Sequence, residues 1–100
     1  MNIVITNPAK RSLKNHYIFY KREATQEVAE RLKAELIQAI ESLKSHPNLG
    51  QVEENLSSLK MNHRYLVKRH YKIIYRIEND IVYITDFFDT RQNPAKMKGN

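Results

Sequence analysis

The sequence predicts an α+β domain in which a helical hairpin packs on one face of a mostly antiparallel sheet of three or four strands. Apolar residues three and four positions apart fill residues 8–43, which is the helical period. Alternating β-branched and aromatic residues fill the chain from residue 64 onward, and a short strand comes first. Helices in a row followed by strands in a row are typical of α+β folds. One hundred residues allow one core, so we expect a single domain, residues 1–100, ending in a polar tail, residues 91–100.

The first elements are a strand over Asn2–Thr6 and a helix over Pro8–Arg22. Thr6 can cap this helix, and Pro8 suits the first helical position, where an amide would have no partner within the helix. Apolar and aromatic side chains share one stripe of the helix. The other face carries the cations Lys10, Arg11, Lys14 and Lys21.

The second helix has the most regular pattern. Thr25 can cap it, and Pro47 should end it near Ser45–His46 because the residue before a proline avoids helical geometry. Residues 51–63 are polar and are expected to form a loop that leads into a short edge strand. The apolar stripe of the helix comprises Val28, Leu32, Leu36, Ile40 and Leu43.

The last third predicts a β-hairpin around Asn79-Asp80, two residues that tolerate the positive φ of a tight turn. A two-residue loop would pair Glu78 with Ile81, Arg76 with Tyr83 and Lys72 with Phe87. Because successive side chains of a strand point to opposite sides, this pairing divides the residues between two faces of the sheet. The face toward the helices should hold Tyr71, Ile73, Tyr75, Ile77, Val82, Ile84 and Phe88. The open face should hold Lys68, His70, Lys72, Ile74, Arg76, Tyr83, Thr85, Phe87, Asp89 and Arg91.

Composition narrows the possible partners. The net charge is +6, concentrated in residues 1–23 and 64–100, which favours acidic partners such as nucleic acid. There is no cysteine, and no histidine or carboxylate spacing indicates a metal site. No apolar run approaches the ~20 residues of a membrane span, and the N-terminus lacks a signal-peptide pattern. We therefore expect a cytoplasmic protein that uses neither metal nor cofactor.

Several residues together resemble the RelE/ParE toxin family. They are Arg64-x-Leu66-Val67-x-x-x-Tyr71-x-Ile73-Ile74-Tyr75-x-Ile77, then Ile81-x-Tyr83-Ile84, then Asp89-Thr90-Arg91-Gln92-Asn93-Pro94, with Leu43 and His46-Pro47-x-x-Gly50 upstream. The resemblance implies the toxin of a bacterial type II toxin–antitoxin module, bound by an acidic antitoxin. RelE-like members cut mRNA in the ribosomal A site without metal, and ParE-like members poison DNA gyrase.

The nuclease reading of this resemblance implies a basic site on the open face. Lys72 and Arg91 match two of the catalytic cation positions, and Arg64 matches an upstream basic position. The sequence also departs from the nuclease pattern. His63 and Tyr65 stand where RelE has a lysine pair, and the tail lacks the terminal Tyr or His of several nucleases.

The leading expectation from sequence is therefore ribosome-dependent mRNA cleavage. Cleavage needs a base, an acid and a cation around one phosphate, so the candidate catalytic residues are His70, Lys72 and Arg91. Candidate nucleic-acid contacts are Arg64, Lys68, Arg76, Tyr83 and Phe87.

Each candidate also has a plain structural alternative. His70 could simply pair with Asp89, Arg64 could serve a structural ion pair, and the remaining cations could be solvated. Tyr83 and Phe87 could fill an antitoxin groove instead of stacking on bases. The competing functions are a non-enzymatic gyrase inhibitor and a member that only binds its antitoxin.

Overall fold

The computed structural model describes residues 1–100, and its elements follow the order β, α, α, β, β, β, β. The strands and helices are β1 (Asn2–Ile5), α1 (Asn7–Glu23), α2 (Gln26–Glu41), β2 (Gln51–Val52), β3 (Arg64–Lys68), β4 (Tyr71–Glu78) and β5 (Ile81–Asp89). Short 3-10 helices cover Ser42–Lys44, Glu54–Leu59 and Pro94–Lys96. No helix combines the length and the hydropathy that a bilayer crossing requires.

Both helices begin at the threonines that the sequence indicates. The Thr6 hydroxyl accepts from the amide of Ala9 at 3.4 Å, and that of Thr25 accepts from Val28 at 3.1 Å. Each bond satisfies an amide that has no partner within its own helix. α2 ends at Glu41, and a 3-10 turn carries the chain on toward Pro47. The helical hairpin is thus confirmed, with its second helix slightly shorter than expected.

The sheet has five strands in the order β1-β5-β4-β3-β2, one more than the largest number expected. β1 runs parallel to β5, and the other three pairings are antiparallel. The extra strand is the two-residue β2, which lies in a segment whose polar composition predicted a loop. The α+β class is confirmed, with a mixed sheet.

A β-bulge divides the central hairpin into two registers. Asn79 and Asp80 adopt φ values of 51° and 62°, and the predicted register holds from the turn to Tyr75, which pairs with Ile84. Ile74 then pairs with Asp86, so Thr85 is an extra residue in β5. One extra residue reverses which face each later side chain of β5 occupies.

Because of the bulge, several residues have a different pairing partner or lie on a different face from the one predicted. Lys72 pairs with Phe88 and not with Phe87, and Asp89 pairs with Tyr71. Phe87 therefore enters the core beneath the helices, where it is 1% exposed, and Phe88 moves to the opposite face. The predicted positions of these two phenylalanines were wrong because sequence alternation contains no sign of an inserted residue.

The two faces of the sheet each carry a core. The larger one packs α1 and α2 on the sheet and includes Leu36, Ile73, Tyr75 and Ile84. The second core contains Leu56, Ile74, Phe88 and Met97, so the end of the chain and the 3-10 helix Glu54–Leu59 cover the face expected to be open.

The C-terminal tail is fixed in place by hydrogen bonds. Lys98 N–H donates to Asp86 at 3.0 Å, the Thr85 hydroxyl donates to the Lys98 carbonyl at 3.0 Å, and His63 Nε2 lies 2.8 Å from the Gly99 carbonyl. Within the tail predicted to be polar, Met97 is therefore part of the second core, and Lys98 and Gly99 lie at its edge.

Candidate functional site

The two cations predicted to share a catalytic site lie on opposite faces of the sheet. Lys72 extends beneath the second core, because alternation in β4 places it beside Ile74 and across from Phe88. Arg91 follows the end of β5, where Asp89 pairs with Tyr71 on the side of the helices. The predicted pocket between Lys72 and Arg91 is therefore not formed.

Lys72 is engaged by a buried carboxylate. Its Nζ lies 2.8 Å from Glu53 Oε2 and 4.1 Å from the centre of the Tyr65 ring. Glu53 is only 2% exposed and also accepts from Asn55. Burial by itself would raise the pKa of Glu53, but hydrogen bonds from Lys72 and Asn55 outweigh it and hold that pKa below its ordinary value. Lys72 is thus the counter-ion of Glu53.

Arg91 is held by Asp89 but remains accessible. Its Nη2 lies 2.7 Å and its Nε 3.0 Å from the two Asp89 carboxylate oxygens, a two-point contact. The hydrogen bond from Arg91 lowers the pKa of Asp89, and the same bond raises the pKa of Arg91. The Arg91 side chain is 63% exposed, so it can meet a partner without leaving Asp89.

His70 lies in the turn between β3 and β4 and contacts Arg91. Its Nε2 is 3.1 Å from Arg91 Nη2 and 2.9 Å from the Tyr20 hydroxyl. A guanidinium can only donate, so His70 Nε2 accepts and the ring proton is on Nδ1. Burial lowers the pKa of His70, and the charge of Arg91 lowers it further. The structure brings His70 and Arg91 together, whereas the predicted pairing of His70 with Asp89 is reduced to a 4.0 Å approach.

A groove of about 730 Å³ lies beside Arg91, between α1, the end of β5 and the tail. β1 pairs with β5 only as far as Ile84, so residues 85–89 have no strand on their outer side. His16 of α1 covers part of that edge, because its Nε2 donates to the Phe87 carbonyl at 2.6 Å. The rim of the groove includes Asn15, Phe19, Arg91, Gln92, Lys96 and Lys98.

The other predicted nucleic-acid contacts are dispersed. Arg64 donates to the Gly50 carbonyl at 2.7 Å, which is a structural role. Lys68 pairs with Tyr71 at the end of β3, on the helix side of the sheet and not on the open face. Arg76 and Tyr83 are confirmed as cross-strand neighbours, with the guanidinium 4.4 Å from the ring centre, but Arg76 is bonded to Glu78. Phe87 is buried and cannot stack on a base.

Sequence reasoning missed the residues that engage these groups. Glu53 came from a segment predicted to be a loop, and Tyr20 belongs to the aromatic stripe of the first helix, yet its hydroxyl reaches His70. Asp86 accepts from Ser12 and from the Lys98 amide, a role for which the sequence has no signal. The sequence has no signal for Glu53 either, because it meets a cation on β4, two strands away from β2. No group of three or more His, Cys, Asp or Glu side chains is arranged to hold a metal ion.

Comparison with known proteins finds a family and a solved structure that match this chain. The profile of the family described as the ParE toxin of the type II toxin-antitoxin system, parDE, matches residues 3–94. The chain belongs to the ParE toxin family. Among solved structures, it is similar to a chain of the chromosomal ParDE toxin-antitoxin system from P. aeruginosa, with a TM-score of 0.75 and 19% identity. The match covers 89% of this chain and 95% of the other, and it shows a shared fold. No curated protein sequence matches.

Proposed function

We propose that this ParE family toxin inhibits DNA gyrase by binding it, that it catalyses no reaction, and that an acidic antitoxin neutralises it. The observation that supports this most strongly is the separation of Lys72 from Arg91 on opposite faces of the sheet. The family assignment and the likeness to a ParDE system support the same choice.

The chemistry of the alternative, mRNA cleavage, explains why this separation matters. Attack of a ribose 2′-hydroxyl on the adjacent phosphate needs a base, an acid and a cation within hydrogen-bond reach of one group. In this chain the Lys72 ammonium is bound by Glu53, and moving it to a phosphate would leave a buried carboxylate without a partner. His70 has its Nε2 occupied by Arg91 and Tyr20, so that nitrogen is not free to take a proton.

The acidic antitoxin follows from charge and from the family. The chain carries +6, and a type II toxin of this family is the partner of an antitoxin. A partner of opposite charge associates faster and more selectively with such a surface. The exposed rim of the groove, where Arg91 projects, is the part of the predicted site that remains available to a macromolecule.

The decisive experiment measures both activities with one preparation. Purified protein is added to DNA gyrase in a supercoiling assay and to translating ribosomes, with mapping of mRNA 3′ ends. We expect supercoiling to be inhibited and mRNA to stay intact. New ends within ribosome-bound codons, together with unaffected gyrase, would overturn the proposal.

Two variants sharpen the assay. Arg91→Ala should weaken gyrase inhibition about fivefold or more, because an exposed arginine is a residue type that often dominates an interface. The double variant Glu53→Gln, Lys72→Met keeps the volume and the neutrality of the internal pair, and it should inhibit gyrase within about twofold of the parent protein. Loss of inhibition in the double variant but not in Arg91→Ala would move the contact to the other face of the sheet.

A further inference from the structure

The sequence predicts a polyanion surface on the sheet, but in the structure the cations that are both exposed and unpaired lie elsewhere. On the sheet, Lys72 is bound to Glu53 and Arg76 to Glu78, and Arg91 at its end is bound to Asp89. On α1, four exposed cations have no ion pair: Lys10, Arg11, Lys14 and Lys21. Arg64 and Lys68 of β3 have no acid partner, but both are half-buried, so a polyanion gains most on α1, where the unpaired cations are exposed.

The cations of α1 share one exposed band. At ~100° per residue, Lys10, Lys14 and Lys21 fall on one line along the helix, and Arg11 and Arg22 fall on the next. Lys33 of α2 joins them, since it lines a recess of about 180 Å³ together with Lys10 and Lys14. We call these six residues the basic band. The band contains no acid, and the acids beside it are engaged: Glu23 by Arg22 at 3.4 Å and Glu30 by the Tyr17 hydroxyl.

We propose that the basic band binds the phosphate backbone of double-stranded DNA without sequence specificity. The band runs about 18 Å along α1, and a duplex presents about ten phosphate charges over that length. Cations clustered along one face of a helix are the electrostatic footprint of backbone binding. This inference goes beyond gyrase inhibition, because it concerns the toxin and DNA alone.

The surroundings of the band favour a duplex over a single strand. Single-strand binding uses exposed aromatic rings on which bases stack. The only aromatic residue among the band cations is Tyr17, whose hydroxyl is bound to Glu30 and whose ring lies under the Lys33 ammonium, 5.7 Å from its centre. Phe19 lies on the other side of α1, at the groove beside Arg91. The band thus offers charge and no stacking platform.

The test is DNA binding by the full chain at several salt concentrations, with a 20-base-pair duplex and one of its strands as probes. We expect the duplex to bind at least as well as the strand, with a slope of log affinity against log salt of about −4 to −5. Lys14→Glu with Lys21→Glu should lower duplex affinity about 30-fold or more at low salt. The matched control, Lys44→Glu with Lys60→Glu, changes net charge equally at exposed positions outside α1 and the groove beside Arg91, and it should lose about threefold or less.

Several results would overturn the proposal. They are absence of duplex binding at low salt, preference for the single strand, and equal losses in the two double variants. If the duplex fails to bind while polyglutamate binds and the α1 variant alone weakens that binding, the band serves an acidic protein instead. Circular dichroism checks that each variant folds, and Lys14→Gln with Lys21→Gln replaces the charge reversal if it does not.

Discussion

The ion pairs Glu53–Lys72 and Asp89–Arg91 join the same kinds of charge at nearly equal distances, 2.8 and 2.7 Å, yet they differ in burial. The Lys72 and Glu53 side chains are 21% and 1% exposed, whereas Arg91 is 63% exposed beside an Asp89 that is 11% exposed. The first pair lies against the second core, and the second lies at the rim of an open groove.

The difference shows what a cation can do in each place. Removing one member of a buried ion pair leaves the other charge where it is poorly solvated. The Glu53–Lys72 pair therefore has a structural role. An exposed guanidinium loses little solvation when its partner changes, so it can take part in recognition. Family resemblance alone would assign both cations to one site, and burial separates their roles.

The largest effect is expected from breaking the buried pair. Lys72→Ala should lower the free energy of unfolding by about 3 kcal/mol, because Glu53 would be left without its counter-ion. Urea unfolding measures this. The double variant Glu53→Gln, Lys72→Met should recover most of the loss, and a loss below about 1 kcal/mol for Lys72→Ala would contradict the structural role.

The next largest loss of stability is expected from a substitution in the second core, which lies beside that ion pair. Met97→Ala should lower the free energy of unfolding by about 2 kcal/mol, because Met97 packs with Leu56, Ile74 and Phe88 although it lies only three residues before Asn100. Lys96→Ala serves as the control, since that side chain is exposed. Equal unfolding midpoints for the two variants would mean that the tail does not cover the sheet.

A smaller effect is expected in the pH dependence of stability, through His70, which contacts Arg91. The folded pKa of His70 is below its ordinary value of 6.5, so the unfolded chain takes up this proton first as the pH falls. Stability from neutral His70 is therefore present above about pH 6.5 and declines as the pH falls through the folded pKa. His70→Gln should reduce the change of the thermal midpoint between pH 7 and pH 5. The same substitution at the exposed His46 should leave that change as it is in the parent protein. The depressed pKa values of Glu53 and Asp89 act at lower pH, where stability is lost as those carboxylates protonate.

The smallest effect should come from the exposed pair. Arg91→Ala is expected to change the thermal midpoint by no more than about 2 °C, because the exposed guanidinium contributes little and the backbone amide of residue 91 still donates to Asp89. Differential scanning fluorimetry is sufficient for this measurement. A large drop would place Arg91 among the structural residues and remove the contrast with Lys72.

The fold could be read from the sequence wherever local signals act. Thr6 and Thr25 mark helix starts, the α2 stripe marks the core, and Asn79-Asp80 fixes the turn through positive φ values. The pairing register of the two strands next to that turn could also be predicted, because a shift by one residue would have buried cations. These features depend on residues close together in the chain.

The candidate site could not be read in the same way, because it depends on distant contacts. The extra residue Thr85 is held by the Lys98 carbonyl, 13 residues away, and Glu53 meets Lys72 across 19 residues. Neither contact has a periodic signature. As a result, His70 and Arg91 of the predicted site lie together, whereas Lys72 and Arg91 lie on opposite faces of the sheet.

The bulge in β5 also bears on how relatives should be aligned. Positions counted outward from the hairpin turn are equivalent only as far as Ile84, and beyond Thr85 every count is displaced by one. A relative lacking this insertion would carry the partner of Arg91 at a different offset from its turn. Functional roles transferred along this strand therefore need superposed coordinates, since a gap-free pairing of letters would attribute them to the wrong neighbour.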